Sequence, residues 1–160
     1  MRKTIRILVG IPCAGKSTYS ESIKSSKNKF YMKIISRDKI REEFYKHENF
    51  NNFGRYIFNY KDEDIITEKY NKELENSYYY DLLILDNTHC KEKYIDDVIS
   101  KYDKTHTIEV KFFNINIVKA HYRNIIRRLK TGKWIPMKVI NTMYKNYNKI
   151  NRKKYEQYKC

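Results

Sequence analysis

The chain has 160 residues, of which 41% are hydrophobic and 33% are charged. This balance excludes a disordered tail and suffices for one domain with a buried core, so we expect a single domain over residues 1–160. The three cysteines form no CxxC pair, and no apolar run approaches the ~20 residues that cross a bilayer. We therefore expect a cytoplasmic protein with no membrane association.

The charge is concentrated near one end of the sequence. The net charge is +15, and residues 111–160 carry 14 Lys and Arg against a single acid, Glu156. A basic half beside a nearly neutral half predicts an anionic partner: nucleic acid, a membrane surface or a phosphorylated small molecule. Composition alone does not choose among the three.

Short apolar runs alternate with helical patterns along the chain. The runs predict strands at residues 5–9, 32–35, 82–85 and 107–113, the last of them nearer a sheet edge. The helical patterns predict helices at residues 16–27, 38–47, 55–78, 91–102, 116–130 and 137–150. This alternation predicts an α/β fold with a parallel sheet of about four strands flanked by helices. The polar stretch from Asn151 is expected to fray.

A phosphate-binding pattern follows the first strand. Residues 10–17 read Gly-Ile-Pro-Cys-Ala-Gly-Lys-Ser and match GxxxxGKS/T. Glycines permit a tight loop whose N–H groups point at phosphate oxygens, and the next helix places its N-terminus against the same anion. We expect ATP and Mg²⁺ here, with Lys16 at the β- and γ-phosphates and Ser17 on the metal. The predicted nucleotide contacts are Gly10, Cys13, Ala14, Gly15, Lys16, Ser17 and Thr18. A chance match in a strand-to-helix turn is the alternative.

Carboxylates follow the second and third strands. Asp38 comes just after the second strand, where it could accept a proton from an attacking hydroxyl, and Arg41 one turn later could hold a phosphate. Asp86 ends the third strand and is expected to orient Mg²⁺, directly or through water. The alternatives are a helix cap at Ser36 or Asp38 and a local turn at Asp86. His89 and Cys90 are interpreted as structural.

The last two helices each carry an apolar stripe at helical spacing and a basic face. The stripes are Val118, Tyr122, Ile125 and Leu129, then Ile140, Met143, Tyr147 and Ile150, and they are expected to face the core. Lys119, Arg123 and Arg127 form a row that is usually a solvated face. The Gly- and Pro-bounded loop at 130–136, however, is typical of a basic kinase lid, so we expect a lid at about 123–136 and a basic helix at 137–150.

Residues 62–67, Asp-Glu-Asp-Ile-Ile-Thr, superficially match a phosphatase DxDxT motif. No apolar strand precedes them, so the sequence does not predict a phosphatase site here.

Taken together, these segments resemble the kinase domain of phage-type 5′-polynucleotide kinases over nearly the whole chain. The segments that carry the resemblance are residues 10–17, Ser36-Arg37-Asp38-x-x-Arg41, Asp86-Asn87-Thr88, Arg123-Asn124-x-x-Arg127, and the stretch from Ile135-Pro136 to Met143-Tyr144-Lys145. The resemblance implies transfer of the γ-phosphate of ATP to a 5′-hydroxyl end of DNA or RNA. The sequence departs from that pattern at His89, where these enzymes often have Asn.

The resemblance also implies roles for individual residues. Asp38 would be the general base, Lys16 and Arg127 would act on the donor phosphates, and Asp86 would support the site. The expected contacts with the acceptor strand are Arg41, Asp86, Thr88, Arg123 and Ile135, the last packing on the terminal base. A nucleic acid with a 5′-hydroxyl end is the expected partner, and no protein partner is implied.

Two other functions remain open at this point. One is a small-molecule P-loop kinase, such as a zeta-toxin-like or antibiotic-modifying phosphotransferase, which has less need of the basic C-terminal third. The other is a catalytically silent, ATP-sensing module that binds nucleic acid, against which the intact Lys16, Asp38 and Asp86 argue.

Overall fold

In the part of the chain that the structure describes, four parallel strands form one sheet in the order β2-β3-β1-β4. The computed structural model describes residues 2–25, 31–46, 60–77 and 79–160. The strands are β1 (Thr4–Val9), β2 (Met32–Ile35), β3 (Leu82–Leu85) and β4 (Thr107–Phe112). The predicted α/β class, strand number and edge position of β4 are all confirmed.

Helices connect and follow these strands. They are α1 (Lys16–Ser25), α2 (Arg37–Lys46), α3 (Glu63–Glu75), α4 (Glu92–Tyr102), α5 (Ile117–Thr131) and α6 (Met137–Asn148). A 3₁₀ turn, Tyr60–Asp62, precedes α3, and the predicted residues 26–27, 47, 55–59 and 78 lie outside the described part of the chain. Among the described residues, no helix is long and apolar enough to span a membrane.

The core lies against the central strands. Apolar side chains of β1 and β3 are almost fully buried, including Ile5, Ile7, Val9 and Leu85. Because all four strands are parallel, their carboxyl ends share one edge, and the loops that follow them meet there. This edge brings together the segments after residues 9, 35 and 85 that the sequence singled out.

The apolar stripe of α5 does not face the core, contrary to expectation. Its four residues are 56–77% exposed: Val118, Tyr122, Ile125 and Leu129. The buried face of α5 instead consists of Ala120 and Asn124, since this helix lies against α6 and the loop after it rather than on the sheet. The stripe of α6 does face the core, as predicted, with Ile140 and Tyr147 buried.

The C-terminal stretch is ordered, so the prediction that it frays was wrong. Residues Arg152–Tyr158 form a 3₁₀ helix, and Tyr155 in its centre is buried. The Tyr155 hydroxyl donates to Asp96 Oδ1 at 2.9 Å, and Lys159 forms a parallel bridge with Val110 on the β4 edge. One aromatic anchor therefore holds a segment whose polar composition pointed to fraying.

Candidate active site

The phosphate loop joins β1 to α1, and each of its two glycines is required for a different structural reason. Gly10 lies so close to Phe113 that a Cβ would meet that residue's Cβ and carbonyl oxygen at 3.0 Å. Gly15 has φ +100°, a backbone region that L side chains rarely adopt. Close packing fixes the start of the loop, and a left-handed turn fixes its entry into α1.

Lys16 is buried within the loop that it is expected to serve. Its Nζ donates to the carbonyl oxygens of Gly10 at 2.8 Å and Ile11 at 3.0 Å. Burial lowers the pKa of Lys16, and the negative charge of Asp86 partly opposes that shift. The ammonium group is therefore held at the loop by backbone acceptors that anionic oxygens can replace.

Asp86 and Ser17 supply oxygen atoms that suit a magnesium ion. Asp86 is buried at the end of β3, and its Oδ2 accepts from Ser20 Oγ at 3.4 Å. Ser17 is exposed in the first turn of α1. A carboxylate and a hydroxyl fit Mg²⁺, which takes few protein ligands and keeps phosphate oxygens and water as the others. Among the described residues, no group of three or more His, Cys, Asp or Glu forms a metal cage.

The segment after β3, residues 86–91, fastens the phosphate loop to its surroundings. The Gly10 N–H donates to the Thr88 carbonyl at 3.1 Å, and His89 Nδ1 lies 3.1 Å from the Leu8 carbonyl. Asn87 Oδ1 accepts from the Arg37 N–H at 2.9 Å, which ties the same segment to the start of α2. Thr88 and Asn87 thus act here through contacts with the backbone of neighbouring segments.

His89 is buried, in agreement with its interpretation as structural. Burial lowers its pKa to about 4, and the backbone carbonyl of Leu8 partly opposes this shift. Residue 89 has φ +41°, a conformation that Asn tolerates better than most residues.

Asp38 and Arg41 form an ion pair one turn apart on α2. Arg41 Nη1 lies 2.9 Å from Asp38 Oδ1, and the Asp38 side chain remains more than half exposed. Arg41 is also bound by both carboxylate oxygens of Glu63, through Nε and Nη2, each at 2.7 Å. The exposed carboxylate of Asp38 therefore lies beside an arginine whose orientation a second carboxylate fixes.

Glu63 belongs to the segment that the sequence analysis set aside as a false phosphatase motif. It contributes to this site by holding both α2 arginines, since Arg37 Nη2 lies 3.1 Å from Glu63 Oε2 and 2.7 Å from Thr67 Oγ1. Burial alone would raise the pKa of Glu63, but Arg41 and Arg37 outweigh it and lower that pKa. No local pattern could reveal this role, because Glu63 lies more than 20 residues from Arg41.

Two of the α5 arginines, Arg123 and Arg127, lie one turn apart on the same face of that helix. Arg123 Nη1 donates to the Cys13 carbonyl at 3.1 Å, and Arg127 is half-buried. Arg128 points elsewhere and lies over the Trp134 ring, 5.1 Å from its centroid. Of the three arginines in this segment, Arg123 contacts the phosphate loop, and Arg127 shares its face of the helix.

The loop after α5 is attached to that helix by a side chain. Gly132, with φ +72°, ends α5 in a left-handed turn. The buried Asn124 then donates to the Ile135 carbonyl at 2.7 Å and accepts from the Ile135 N–H at 3.1 Å. Ile135 itself is half-buried and packs against the core cluster. Lys133 reaches across to pair with Glu42 on α2.

Most of the expected site residues therefore fall into two groups, one at the phosphate loop and one on α2. Those at or beside the phosphate loop are Gly10, Cys13, Ala14, Gly15, Lys16, Ser17, Asp86, Thr88 and Arg123. Asp38 and Arg41 form the second group, on α2. Thr18 is exposed on α1, Arg127 is half-buried on α5, and Ile135 lies in the loop after α5. Sequence reasoning missed the part played by Glu63 and by the side chains of Asn87 and Asn124, because each acts on residues distant in sequence.

Comparison with solved structures identifies the fold. A chain of the Pnkp1/Rnl/Hen1 RNA repair complex matches with a TM-score of 0.76 at 20% identity, over 99% of this chain and 47% of that one. A gluconokinase from Sinorhizobium meliloti matches with a TM-score of 0.56 at 14% identity, over 91% of this chain and 74% of that one. A deoxyadenosine kinase from M. mycoides with bound dATP matches with a TM-score of 0.53 at 18% identity, over 98% of this chain and 87% of that one. The fold is that of a P-loop kinase.

These likenesses confirm the resemblance to polynucleotide kinases at the level of the fold. No family model matches the chain. The chain spans about half the length of the RNA repair protein that it matches.

Proposed function

We propose that this protein is a phosphotransferase that moves the γ-phosphate of ATP to the 5′-hydroxyl end of a polynucleotide. The observation that carries the proposal is the exposed Asp38 beside an anchored Arg41, on a P-loop kinase fold whose phosphate loop holds a buried Lys16. Asp38 could accept a proton and Arg41 could hold a phosphate beside it. This pair suits a substrate in which a hydroxyl group lies next to a phosphate, as at the 5′ end of a polynucleotide.

On the donor side, the backbone N–H groups of the loop and the N-terminus of α1 would hold the β- and γ-phosphates. Lys16 would exchange its two backbone acceptors for phosphate oxygens. Arg127, with Arg123 next to it, would meet the charge that develops on the γ-phosphate and the leaving oxygen. Ser17 and Asp86 would hold Mg²⁺, which neutralises phosphate charge when bound.

On the acceptor side, Arg41 would hold the phosphate adjacent to the terminal nucleoside, and Ile135 would pack on its base. The 5′-oxygen forms a bond with the γ-phosphorus while its proton passes to the carboxylate of Asp38. The bond between the γ-phosphorus and the bridging oxygen breaks, and ADP leaves. Glu63 would keep Arg41 oriented throughout.

The basic C-terminal third supports a polymeric acceptor over a small one. Neither α5 nor α6 contains an acidic residue, and Lys138, Lys145 and Lys149 on α6 and at its C-terminal end are exposed. A small acceptor would be enclosed near Arg41, whereas a polynucleotide needs cations along its backbone. The likeness to a protein of an RNA repair complex agrees with this choice. The likeness to gluconokinase and deoxyadenosine kinase makes a small-molecule kinase the second candidate.

Labelled ATP tests the proposal directly. The protein is incubated with Mg²⁺, γ-labelled ATP and matched DNA and RNA oligonucleotides that end in either a 5′-hydroxyl or a 5′-phosphate. Gluconate and deoxyadenosine are tested in parallel. We expect label on the 5′-hydroxyl oligonucleotides and none on the phosphorylated ones.

Two variants on α1 show whether the label comes from this site. Lys16→Met should abolish transfer, whereas Lys24→Met, an exposed lysine on the same helix, should retain it. Label on the 5′-phosphate oligonucleotides, or on gluconate or deoxyadenosine in preference to both nucleic acids, would contradict the proposal.

A further inference from the structure

The exposed stripe of α5 is a surface that the proposed kinase reaction does not use. Its members, Val118, Tyr122, Ile125 and Leu129, are separated by four, three and four residues. This is the spacing of the a and d positions of a coiled coil, whose side chains form a single seam. The seam runs for about 16 Å along the helix, at 1.5 Å per residue.

The seam lies opposite the face by which α5 is held in the domain. The inward face contains the buried Ala120 and Asn124, and Asn124 is fastened to Ile135 by two hydrogen bonds. Leu129 and Val118 are 77% and 72% exposed, so large apolar side chains meet water at both ends of the seam. Contiguous exposed apolar side chains on a domain surface mark a contact with another molecule.

The shape of the seam favours a helix over a membrane or a nucleic acid. The four side chains lie within about 60° of the helix circumference at 3.6 residues per turn, narrower than the broad apolar face of an interfacial helix. Three of the four are aliphatic and offer no ring on which a base could stack. A narrow line of branched side chains accepts the ridge of another helix.

The charge around the seam determines what kind of helix fits. Lys119 and Lys130 flank it on one side and Arg128 on the other, and all three are exposed. The α5 helix has no acidic residue, so a second copy docked on this seam would place like charges together. We propose that the α5 seam is the docking site for an amphipathic helix of a partner protein, with apolar seam residues flanked by Glu or Asp.

A pair of synthetic peptides tests this proposal on the intact protein. Each peptide has about three heptads with Ile and Leu at the seam positions and no aromatic residue. One carries Glu at the flanking positions, and the other carries Lys. Calorimetric titration should give at least tenfold tighter binding for the Glu peptide. Trp134, the single tryptophan, lies beside Arg128, so its fluorescence should change when the Glu peptide binds.

Substitutions on the surface locate the binding. The double variant Ile125→Ser, Leu129→Ser should weaken binding of the Glu peptide at least tenfold while its circular dichroism stays unchanged, since both side chains are exposed. Ile65→Ser, which alters an exposed isoleucine on α3, is the matched control and should bind as the unmodified protein does.

Four outcomes would overturn the proposal. They are equal binding of the two peptides, no binding of the Glu peptide, binding that the seam variant does not weaken, and a dimer in sedimentation experiments that the seam variant abolishes. Binding to anionic vesicles that depends on Ile125 and Leu129 would likewise reassign the seam, in that case to a membrane surface. Because none of these measurements involves phosphate transfer, failure here is distinguishable from failure of the proposed kinase activity.

Discussion

The arginines on α2 and those on α5 are held in opposite ways. Arg37 and Arg41 are bound by Glu63, and Arg41 also pairs with Asp38. Among residues 2–25, 31–46, 60–77 and 79–160, the α5 arginines Arg123 and Arg127 have no carboxylate partner.

Under the roles proposed above for these arginines, the contrast separates two ways of binding phosphate. A guanidinium held by a bidentate carboxylate keeps one orientation before any ligand arrives. An arginine without such a partner can change its orientation when an anion arrives, and for Arg123 the anion would replace the Cys13 carbonyl. The α2 side is therefore preorganised, and the α5 side is completed by what it binds. Three changes test this difference, and two more test His89 and the lysines of α6.

The largest effect is expected at Arg127. Arg127→Ala should lower kcat by about 10³-fold or more, because an arginine that meets the transferring phosphate contributes on that scale. The matched control is Arg128→Ala, which removes the adjacent guanidinium that lies over Trp134 and should change kcat by less than about threefold. Single-turnover kinetics measure both. A larger loss of kcat for Arg128→Ala than for Arg127→Ala would mean that Arg128, and not Arg127, meets the transferring phosphate.

Asp38 is the next test. Asp38→Asn keeps the shape of the side chain and should lower kcat by about 10²- to 10⁴-fold while leaving ATP affinity unchanged. Nucleotide titration and oligonucleotide phosphorylation separate the two quantities. Full activity in this variant would mean that Asp38 serves only to pair with Arg41.

Glu63 tests whether preorganisation matters. Glu63→Gln should raise KM for the oligonucleotide about 10- to 100-fold with a smaller change in kcat, because Arg41 then loses its bidentate partner. Glu63→Asp, which keeps the charge, should recover part of the loss. Glu68→Gln, which breaks an exposed pair with Lys72 on the same helix, is the control and should leave KM unchanged. If Glu63→Gln and Glu68→Gln behave alike, Arg41 does not depend on its anchor.

His89, in the segment after β3, should make the stability of the folded protein depend on pH. The pKa of His89 is lowered to about 4 by burial, from about 6.5 in an unfolded chain. Between these values the unfolded chain takes up a proton that the folded protein does not, so stability falls as pH falls. From about pH 7.5 to pH 5 this linkage should lower the free energy of unfolding by about 2 kcal/mol.

His89→Asn removes the titrating group and suits the positive φ of that residue. Urea unfolding of both proteins at the two pH values measures the difference. Equal losses of stability in the two proteins would show that other groups account for the acid sensitivity.

The smallest effect is expected from single charges on α6. Lys138→Ala with Lys145→Ala should reduce the salt dependence of oligonucleotide KM, by about 0.7 in the logarithmic slope for each phosphate that a lysine no longer neutralises. Replacing Lys72 and Lys101, which lie on α3 and α4, should leave the slope unchanged. An unchanged slope in the α6 variant would exclude this helix from the path of the strand.

Local sequence was sufficient for the parts of the protein that depend on neighbouring residues. The strands could be predicted because each is a short apolar run, and the phosphate loop because its glycines and lysine stand at fixed spacing around a strand-to-helix turn. The positions of Asp38 and Asp86 at one edge of the sheet could be predicted because each follows a strand and the strands are parallel.

The errors arose where a distant interaction decides the structure. The α5 stripe was assigned to the core because apolar periodicity shows that a helix has two faces but not which one packs inward. The sequence around Glu63 does not show its partners, because Arg37 and Arg41 lie on another helix. The prediction that the C-terminus frays was wrong because it did not account for Tyr155, whose hydroxyl donates to Asp96 on α4.

The two hydrogen bonds from Asn124 to Ile135 have a consequence for the order of events. They tie the loop after α5 to the helix, so a shift of α5 that moves Arg127 would also move Ile135. Under the proposed roles, the two substrates are energetically linked through one amide. ATP should tighten binding of the strand, and the strand should tighten binding of ATP by the same factor.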